Sequence, residues 1–296
     1  MSAFATRFAP SPTGLLHLGH AYSALSAFEA ARAAGGRFVL RIEDIDGPRV
    51  RPEFDAALLE DLAWLGLDWE TPVRRQSQHM DDYQMALDRL GAQGLLYRCF
   101  RTRREVLEEI ARAPHGPGED GQGGVFRGAA LPPDEEADLL ASGRAYAWRL
   151  SLDRAREVLG GFGGLAFVEE GLGPNGERGV IAADPSREGD VILARKDVGV
   201  AYHLAVVVDD ALQEISHVIR GQDLFAAAHI QVLLQRLLGL PTPTYRHHRL
   251  LLGPDGKRLA KRNGAPALRE LRLAGETAAD VRARLAELER LDSLGR

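Results

Sequence analysis

Residues 4–20 read FATRFAPSPTGLLHLGH: a short apolar strand from Phe4 to Ala9, a turn rich in Pro and Gly, and the start of a helix. The helix is predicted to run from about His17 to Ala34, where Gly35-Gly36 ends it. A second apolar strand follows at Phe38–Ile42. Strand, helix and strand in this order form a βαβ unit, which predicts a parallel sheet with a right-handed crossover. The expected fold class is therefore α/β.

The character of the chain changes near residue 98 and again near residue 190. Gly-rich and acidic segments lie between these points, and we interpret 98–189 as a subdomain inserted into the sheet domain. Apolar periodicity predicts the other elements. They are helices at 52–66, 78–94 and Leu224–Leu238, strands at Asp190–Leu193, Leu204–Asp209 and Ile215–Ile219, and a helical end with Leu268, Leu271, Val281, Leu285 and Leu288 on its apolar face. The predicted organisation is a first half of the sheet domain (1–97), the insertion (98–189), the second half (190–240) and a basic loop with a helical C-terminal segment (241–296).

Composition narrows the functional classes. A net charge of −5 means that nucleic acid could bind only at a local basic surface, because the overall field repels phosphate. No apolar run is long enough to span a membrane, and the N-terminus lacks a signal-peptide pattern. The single cysteine, Cys99, excludes an intrachain disulfide and fits a reducing compartment. We expect a cytoplasmic protein that acts as a monomer, without a membrane partner.

Two histidines begin the first predicted helix. His17 and His20 are three residues apart and therefore share one helix face, at an end where backbone N–H groups attract anions. Gly19 between them would let a nucleotide approach the backbone closely. This arrangement is suited to the phosphates of a nucleotide. A lone HxxH is usually an incidental surface pair, but the preceding strand and PSPTG turn favour a site; on HxGH alone, a cytidylyltransferase would fit as well.

A basic loop lies near the end of the chain. Only three of the 37 basic residues are Lys, and two of them, Lys257 and Lys261, fall in the run KRLAKR at 257–262. The run follows a Gly-Pro-Asp-Gly turn, so a mobile cationic loop could close over pyrophosphate. A bare basic turn would more often be solvated; the apolar run before it and the histidine motif favour the catalytic interpretation.

An acidic motif follows the second strand. The run RIEDID at 41–46 places Glu43 at the carboxyl end of that strand, which faces the ligand crevice in a doubly wound sheet. Glu43 could hold an ammonium group. A solvated acidic turn is an equally good interpretation of this run taken alone.

Together these stretches resemble the glutamyl-tRNA synthetases, which are class I aminoacyl-tRNA synthetases. The resemblance covers Arg7 to Arg262, and HLGH and KRLAKR occupy the places of the HIGH and KMSKS motifs. It also rests on YHLAVVVDD at 202–210 and on VIRG at 218–221. It implies a Rossmann-type parallel sheet with an inserted α+β subdomain and a short helical C-terminal segment.

The resemblance implies residue roles. The glutamate site would be lined by Arg7, Ser11, Glu43, Tyr202 and Arg220. The catalytic residues would be His17, His20 and Lys261. ATP would be surrounded by Ser11, His17, Gly19, His20, Asp223, Lys257, Arg258, Leu259 and Lys261, with Mg²⁺ as the accompanying ion. Two arginines, a phenol and a carboxylate match the two carboxylates and one ammonium of glutamate.

Two features point to short paralogues within this family. Val206 stands where ordinary glutamyl enzymes have Asn, and only some 34 residues follow the second motif. Both are typical of glutamyl-Q tRNA(Asp) synthetases, which implies that glutamate, activated with ATP without tRNA, is transferred to queuosine in the anticodon loop of tRNA(Asp). Ordinary 3′-end aminoacylation stays open, and so does a non-catalytic nucleotide-binding paralogue, because Arg258 and Ala260 depart from KMSKS.

The insertion departs from the family pattern. Relatives often hold a zinc there with a Cys-x-Cys pair and a later Tyr-x-x-x-Cys, whereas this chain has Cys99, Arg101, Phe126 and Ala130 at those positions. One thiol cannot build a tetrahedral zinc site. We therefore expect no zinc.

Overall fold

The structure is a computed structural model that describes residues 3–112, 125–196, 199–252 and 266–294. Its strands are β1 (Ala5–Phe8), β2 (Arg37–Ile42), β3 (Arg74–Arg75), β4 (Leu96–Cys99), β5 (Ala147–Leu150), β6 (Ala166–Glu169), β7 (Gly179–Ala182), β8 (Ile192–Arg195), β9 (Gly199–Val200), β10 (His217–Gly221) and β11 (Thr244–His248). Its helices are α1 (Leu18–Ala33), α2 (Pro52–Trp64), α3 (Met80–Ala92), α4 (Arg103–Arg112), α5 (Pro133–Ala141), α6 (Leu152–Leu159), α7 (Tyr202–Leu212), α8 (Phe225–Leu238), α9 (Leu268–Leu273) and α10 (Ala278–Leu294).

A parallel sheet forms the centre of the fold. Strands β1, β2 and β3 pair in parallel, as do β10 and β11. The two groups meet where the Ser216 N–H donates to the Ala5 carbonyl over 3.0 Å, so β10 lies beside β1. The chain leaves this pair of strands in opposite directions along the sheet, through α1 and through α8. That reversal creates a crevice at the carboxyl ends of β1 and β10.

Helices cover both faces of the sheet. One core packs α1, α2, α9 and α10 around β1 and β2, and the other packs α3, α7 and α8 with residues of β5 and β8. Helix α1 turns small side chains, Ala21, Ala24 and Ala27, toward the sheet, and all three are fully buried. The predicted apolar face of the C-terminal helices is confirmed, with Leu268 and Val281 also fully buried. The expected α/β fold with a parallel sheet is confirmed as well.

In the second half, one predicted strand is a helix and another belongs to a different sheet. Residues Leu204–Asp209 belong to helix α7, and every residue from Leu204 to Asp210 is buried. A run of β-branched valines favours a strand locally, but here burial of the whole segment overrides that preference. The expected return of the parallel sheet at Asp190–Leu193 is also wrong, because β8 pairs antiparallel with β5 in a second sheet of order β4-β5-β8-β9.

The segment interpreted as an insertion also contributes to the central sheet. Glu169 at the end of β6 pairs in parallel with Tyr245 of β11, and β7 continues this sheet as an antiparallel partner of β6. The sheet order on this side is therefore β10-β11-β6-β7. The end of β6 therefore lies beside β11, on the same side of the sheet as β10.

Candidate active site

A cleft of about 470 Å³ opens at the carboxyl ends of β1 and β10. The described residues that the sequence proposed for glutamate and ATP all line it, although they come from four separate stretches of the chain. They are Arg7, Ser11, His17, Gly19, His20, Glu43, Tyr202, Arg220 and Asp223. The structure thus brings these residues together, and their binding roles stay predictions.

The two histidines form the N-terminal cap of α1. The Gly19 N–H donates to His17 Nδ1 over 3.1 Å, and the His17 N–H donates to His20 Nδ1 over 3.2 Å. The expectation that these amides point freely at a ligand is therefore wrong for His17 and Gly19. The two rings lie 3.8 Å apart between centroids. Because each Nδ1 accepts a hydrogen bond, the neutral rings carry their protons on Nε2 and can act there as donors.

Buried charges hold one end of the cleft. Arg7 Nε donates to Asp210 Oδ1 over 3.0 Å, and Arg41 Nη1 donates to the same oxygen over 2.8 Å. Arg41 Nη2 donates to Glu43 Oε1 over 3.1 Å. Two guanidinium groups thus share one carboxylate, and a second carboxyl group, Glu43, is held against Arg41. None of these four side chains is more than 8% exposed.

The pKa values of the two carboxyl groups move in opposite directions. Burial alone would raise the pKa of Asp210, but the charges of Arg7 and Arg41 outweigh it and hold that pKa below its usual value. Burial raises the pKa of Glu43 above its usual value, and Arg41 and Arg7 offset only part of this effect. Asp210 is therefore a firmly ionised anchor, whereas Glu43 is a buried carboxyl group that gains from a further cation.

A second layer fixes Asp209, the neighbour of Asp210 on α7. The Tyr83 hydroxyl donates to Asp209 Oδ1 over 2.9 Å, Gln76 Nε2 donates to Oδ2 over 2.8 Å, and Arg74 Nε donates to Oδ1 over 2.7 Å. These donors come from β3, α3 and the turn between them. Helix α7 is thereby tied to the edge of the parallel sheet, which fixes Asp210 as well.

Arg220 reaches the cleft from β10. Its Nη1 donates to Gln231 Oε1 over 3.0 Å, and its Nη2 donates to the Leu224 carbonyl over 2.9 Å. The Tyr202 hydroxyl lies 3.4 Å from Nη1, a long hydrogen bond. These two bonds fix the orientation of the guanidinium plane. The edge of the group that faces Tyr202 makes only the long hydrogen bond.

The second motif lies outside the described residues, and this includes Lys257, Arg258, Leu259 and Lys261. The chain on either side of it is described. Leu250 and Leu251 line the cleft, and Ala267 forms a β-bridge with His17. The Leu268 N–H donates to the Leu16 carbonyl over 2.8 Å. Both flanks of the basic loop therefore lie beside the histidine motif.

The arginines at the start of the insertion are not equivalent. The Arg98 guanidinium lies 4.4 Å from the Trp148 ring centroid, and its Nη1 pairs with Glu136 over 2.5 Å. Arg103 and Arg104 are exposed. Arg104 Nε lies 3.7 Å from Glu108 Oε1, so Arg98 and Arg104 both have acidic partners.

Apolar side chains pack together where relatives of this family hold zinc. Cys99, Phe126, Tyr97 and Val106 form a small buried cluster. Arg101 lies over the Phe126 ring at 6.0 Å, a contact that a metal ligand at either position would not make. Within the described ranges, no group of three His, Cys, Asp or Glu side chains could hold a metal. These residues do not fit a tetrahedral zinc.

Sequence reasoning missed several residues of the site. Arg41, Asp210 and His247 are buried behind the cleft and hold the residues that line it. Tyr22 and His248 line the cleft themselves. Asp210 had a visible signal, since a pair of acids ends an otherwise apolar run at 202–210. His247 had none, because its partners are distant in sequence.

Comparison with known proteins places the chain in a family. Residues 3–158 and 175–280 match the family described as tRNA synthetases class I (E and Q), catalytic domain. A glutamyl-Q tRNA(Asp) synthetase of Rhodobacter capsulatus is 48% identical over 94% of this chain and 98% of its own length. One from Symbiobacterium thermophilum is 42% identical over 96% of this chain and 86% of its own. The chain therefore belongs to the class I tRNA synthetases and, within them, to the family of glutamyl-Q tRNA(Asp) synthetases.

Longer relatives and solved structures agree. The glutamate–tRNA ligase of Prochlorococcus marinus is 38% identical over 92% of this chain, which spans 55% of that protein. A crystal structure of a glutamate tRNA ligase from Elizabethkingia meningosepticum in complex with its amino acid matches with a TM-score of 0.70 at 28% identity. That match covers 89% of this chain and 53% of the other. The predicted enzyme class, an ATP-dependent ligase of the class I aminoacyl-tRNA synthetase type, is confirmed. No helix in the described ranges is long and apolar enough to cross a membrane.

Proposed function

We propose that this protein activates glutamate with ATP in the absence of tRNA and transfers the glutamyl group to queuosine in the anticodon of tRNA(Asp). The observation that carries the first half is the state of the glutamate pocket. Arg7, Glu43 and Arg220 are each held by buried partners from this chain. A pocket whose charges are already oriented needs no second macromolecule to assemble it.

The pocket charges are complementary to glutamate. Arg7 and Arg220 pair with its two carboxylates, Glu43 accepts from its ammonium group, and Tyr202 and Ser11 add hydroxyl contacts. All five residues line the same cleft.

The histidine end of the cleft holds ATP. His17 and His20 donate from Nε2 to phosphate oxygens, Gly19 allows close approach of the nucleotide, and Asp223 and Leu259 complete the site. Lys261, helped by Lys257 and Arg258, closes over the leaving pyrophosphate. Asp223, an exposed carboxylate that lines the same cleft as the two histidines, would be the side chain that holds Mg²⁺. The ion supplies neutralisation of phosphate charge.

Adenylation itself needs no protein base. The α-carboxylate of glutamate is ionised at neutral pH and attacks the α-phosphate of ATP. The new P–O bond gives glutamyl-adenylate, and the broken bond releases pyrophosphate with its electron pair. Catalysis then consists of positioning and of stabilising charge on the phosphates.

The proposed acceptor rests on the relatives. Those at 41–48% identity over most of this chain are named glutamyl-Q tRNA(Asp) synthetases. We propose that the anticodon loop enters the cleft against the inserted subdomain (98–189) and its exposed Arg101, Arg103 and Arg104. An extruded modified base, accessible in a single-stranded loop, then offers a diol hydroxyl whose oxygen forms an ester bond with the glutamyl carbonyl carbon, while the bond to AMP breaks and the hydroxyl proton is released. The protein works as a monomer in this proposal.

Pyrophosphate exchange tests the activation step. The protein is incubated with ATP, labelled pyrophosphate and each amino acid in turn, with no tRNA present. Exchange with glutamate alone is the expected result. Exchange that requires added tRNA, or that proceeds equally with aspartate or glutamine, contradicts the proposed pocket.

A further inference from the structure

On its inner side Arg220 is bonded to a completely buried histidine, which is bonded in turn to a completely buried glutamate. Its Nε donates to His247 Nε2 over 3.0 Å, and His247 Nδ1 lies 2.6 Å from Glu169 Oε2. The side chains of His247 and Glu169 are 0% exposed. A carboxylate, an imidazole and a guanidinium thus form a line that runs from the interior of the sheet to the cleft.

The hydrogen bonds fix the protonation of this line. Glu169 Oε1 already accepts from the backbone N–H groups of His247 and Gly171, both at 2.8 Å. Arg220 Nε can only donate, so His247 presents the Nε2 lone pair to it, carries its proton on Nδ1 and donates to Glu169 Oε2. Burial lowers the pKa of His247, and the bond to Glu169 offsets only part of this effect. The neutral ring is the form that can accept from Arg220.

Local backbone structure brings Glu169 to this place. Strand β6 pairs with β11 through Glu169 and Tyr245, two residues before His247. The chain then turns away at Gly171, where a Cβ atom would collide with the His247 carbonyl. Only glycine fits there, and the close approach allows Glu169 to reach both the backbone and the ring of His247.

We propose that Glu169 and His247 are positioning residues for glutamate recognition. They set the rotation of the Arg220 guanidinium, and hence the edge that it turns toward Tyr202, without touching the substrate. The proposal rests on the role of Arg220 in the glutamate pocket proposed above. If glutamate had to order the Arg220 guanidinium group on binding, part of the binding free energy would be lost to that ordering. A guanidinium group that is fixed in advance avoids this loss.

The test is Glu169→Gln, a change of charge at nearly constant volume. Because Oε1 receives two backbone N–H groups, the new amide nitrogen faces His247 Nδ1 and forces the ring proton onto Nε2. Two donors then oppose each other at Arg220. The KM for glutamate in pyrophosphate exchange is expected to rise about 10- to 100-fold, the range for one hydrogen bond to a charged group, while the KM for ATP changes less than about twofold.

Two comparisons separate positioning from folding. Glu170→Gln makes the same chemical change one residue along, at a side chain that is 43% exposed and lies 3.9 Å from Arg246, and it should leave both KM values unchanged. At position 247, His247→Gln keeps a carbonyl acceptor for Arg220 and should retain more glutamate affinity than His247→Leu. Thermal unfolding of each variant reports stability separately.

The outcomes distinguish this proposal from the pocket itself. If Arg220→Ala raises the glutamate KM but Glu169→Gln behaves like Glu170→Gln, the positioning role is wrong and the pocket stands. If Glu169→Gln raises both KM values together, the residue is structural only. If Arg220→Ala leaves the glutamate KM unchanged, the pocket is wrong and the positioning role falls with it.

Discussion

Each charged side chain that faces the proposed glutamate pocket has a buried partner on its far side. Arg7 is held by Asp210, Glu43 by Arg41, and Arg220 by His247. The cost of removing these charged groups from water therefore arises during folding, where hydrogen bonds inside the protein offset it. It does not have to be met again when glutamate binds. Glutamate then meets oriented charges, which favours specificity for its two carboxylates over a neutral or shorter amino acid.

Arg220→Ala should remove glutamate binding and spare ATP. One substrate carboxylate would be left unpaired in a largely desolvated pocket, at a free energy on the order of 3–5 kcal/mol. Calorimetric titration with each ligand measures the effect, and thermal unfolding checks that the variant is folded. Equal weakening of both ligands would show that Arg220 is structural.

Lys261→Ala should slow exchange by about 10²- to 10³-fold with little change in either KM, because its contact with pyrophosphate matters mainly in the transition state. Lys196→Ala is the matched control, since Lys196 is the one lysine of the sequence outside the second motif and is exposed directly after β8. A variant at 261 that exchanges at the rate of the 196 control would remove this residue from the mechanism.

Glutamate binding should weaken as the pH falls, starting above the usual carboxyl range. Burial raises the pKa of Glu43, so this group takes up a proton at a higher pH than an exposed glutamate does. Once protonated it carries no negative charge to attract the substrate ammonium. The measurement is the glutamate KM between pH 8 and about pH 5, with ATP as internal control. Glu43→Gln should bind weakly at every pH. A wild-type profile as flat as that of the variant would contradict the assignment.

At the level of elements, the sequence predicts best where Pro and Gly mark the ends. The unit β1–α1–β2 was predicted within about a turn because PSPTG and Gly35-Gly36 delimit the helix. Helix α7 was not, since its valine run carries a strand preference that only tertiary burial reverses. The partners of its two acids, Asp209 and Asp210, lie on other elements of the fold and cannot be identified from the local sequence.

The proposed site shows the same limit. Residues close to a motif, such as His17, Glu43 and Arg220, could be named from the sequence. Glu169 could not, because it lies 78 residues from His247 in a segment interpreted as an insertion. The parallel pairing of β6 with β11 is a long-range contact that no local pattern encodes.

The inserted subdomain is expected to fold without zinc. Asp190 joins its parts by accepting from the Tyr97 hydroxyl and the Gly128 N–H through Oδ2 and from the Leu152 N–H through Oδ1, at 2.9 to 3.0 Å. Elemental analysis of the purified protein should find well under one zinc per chain, and a chelator should leave the unfolding temperature unchanged. Stoichiometric zinc would require ligands other than Arg101, Phe126 and Ala130.

For the whole molecule, the acidic net charge limits how RNA can approach. A chain of charge −5 attracts phosphate only where basic groups cluster, and the exposed arginines of the inserted subdomain form such a cluster. In the proposed complex the anticodon loop would approach the cleft along this basic surface.

The most direct measurement is transfer of labelled glutamate to tRNA(Asp) from cells that make queuosine and from cells that do not. After the reaction, nuclease digestion separates the anticodon fragment from the 3′-terminal adenosine. We predict label on the anticodon fragment of the queuosine-containing tRNA and none on tRNA that lacks the base. Label on the 3′-terminal adenosine, or equal labelling of both tRNAs, would contradict the proposal and indicate ordinary aminoacylation.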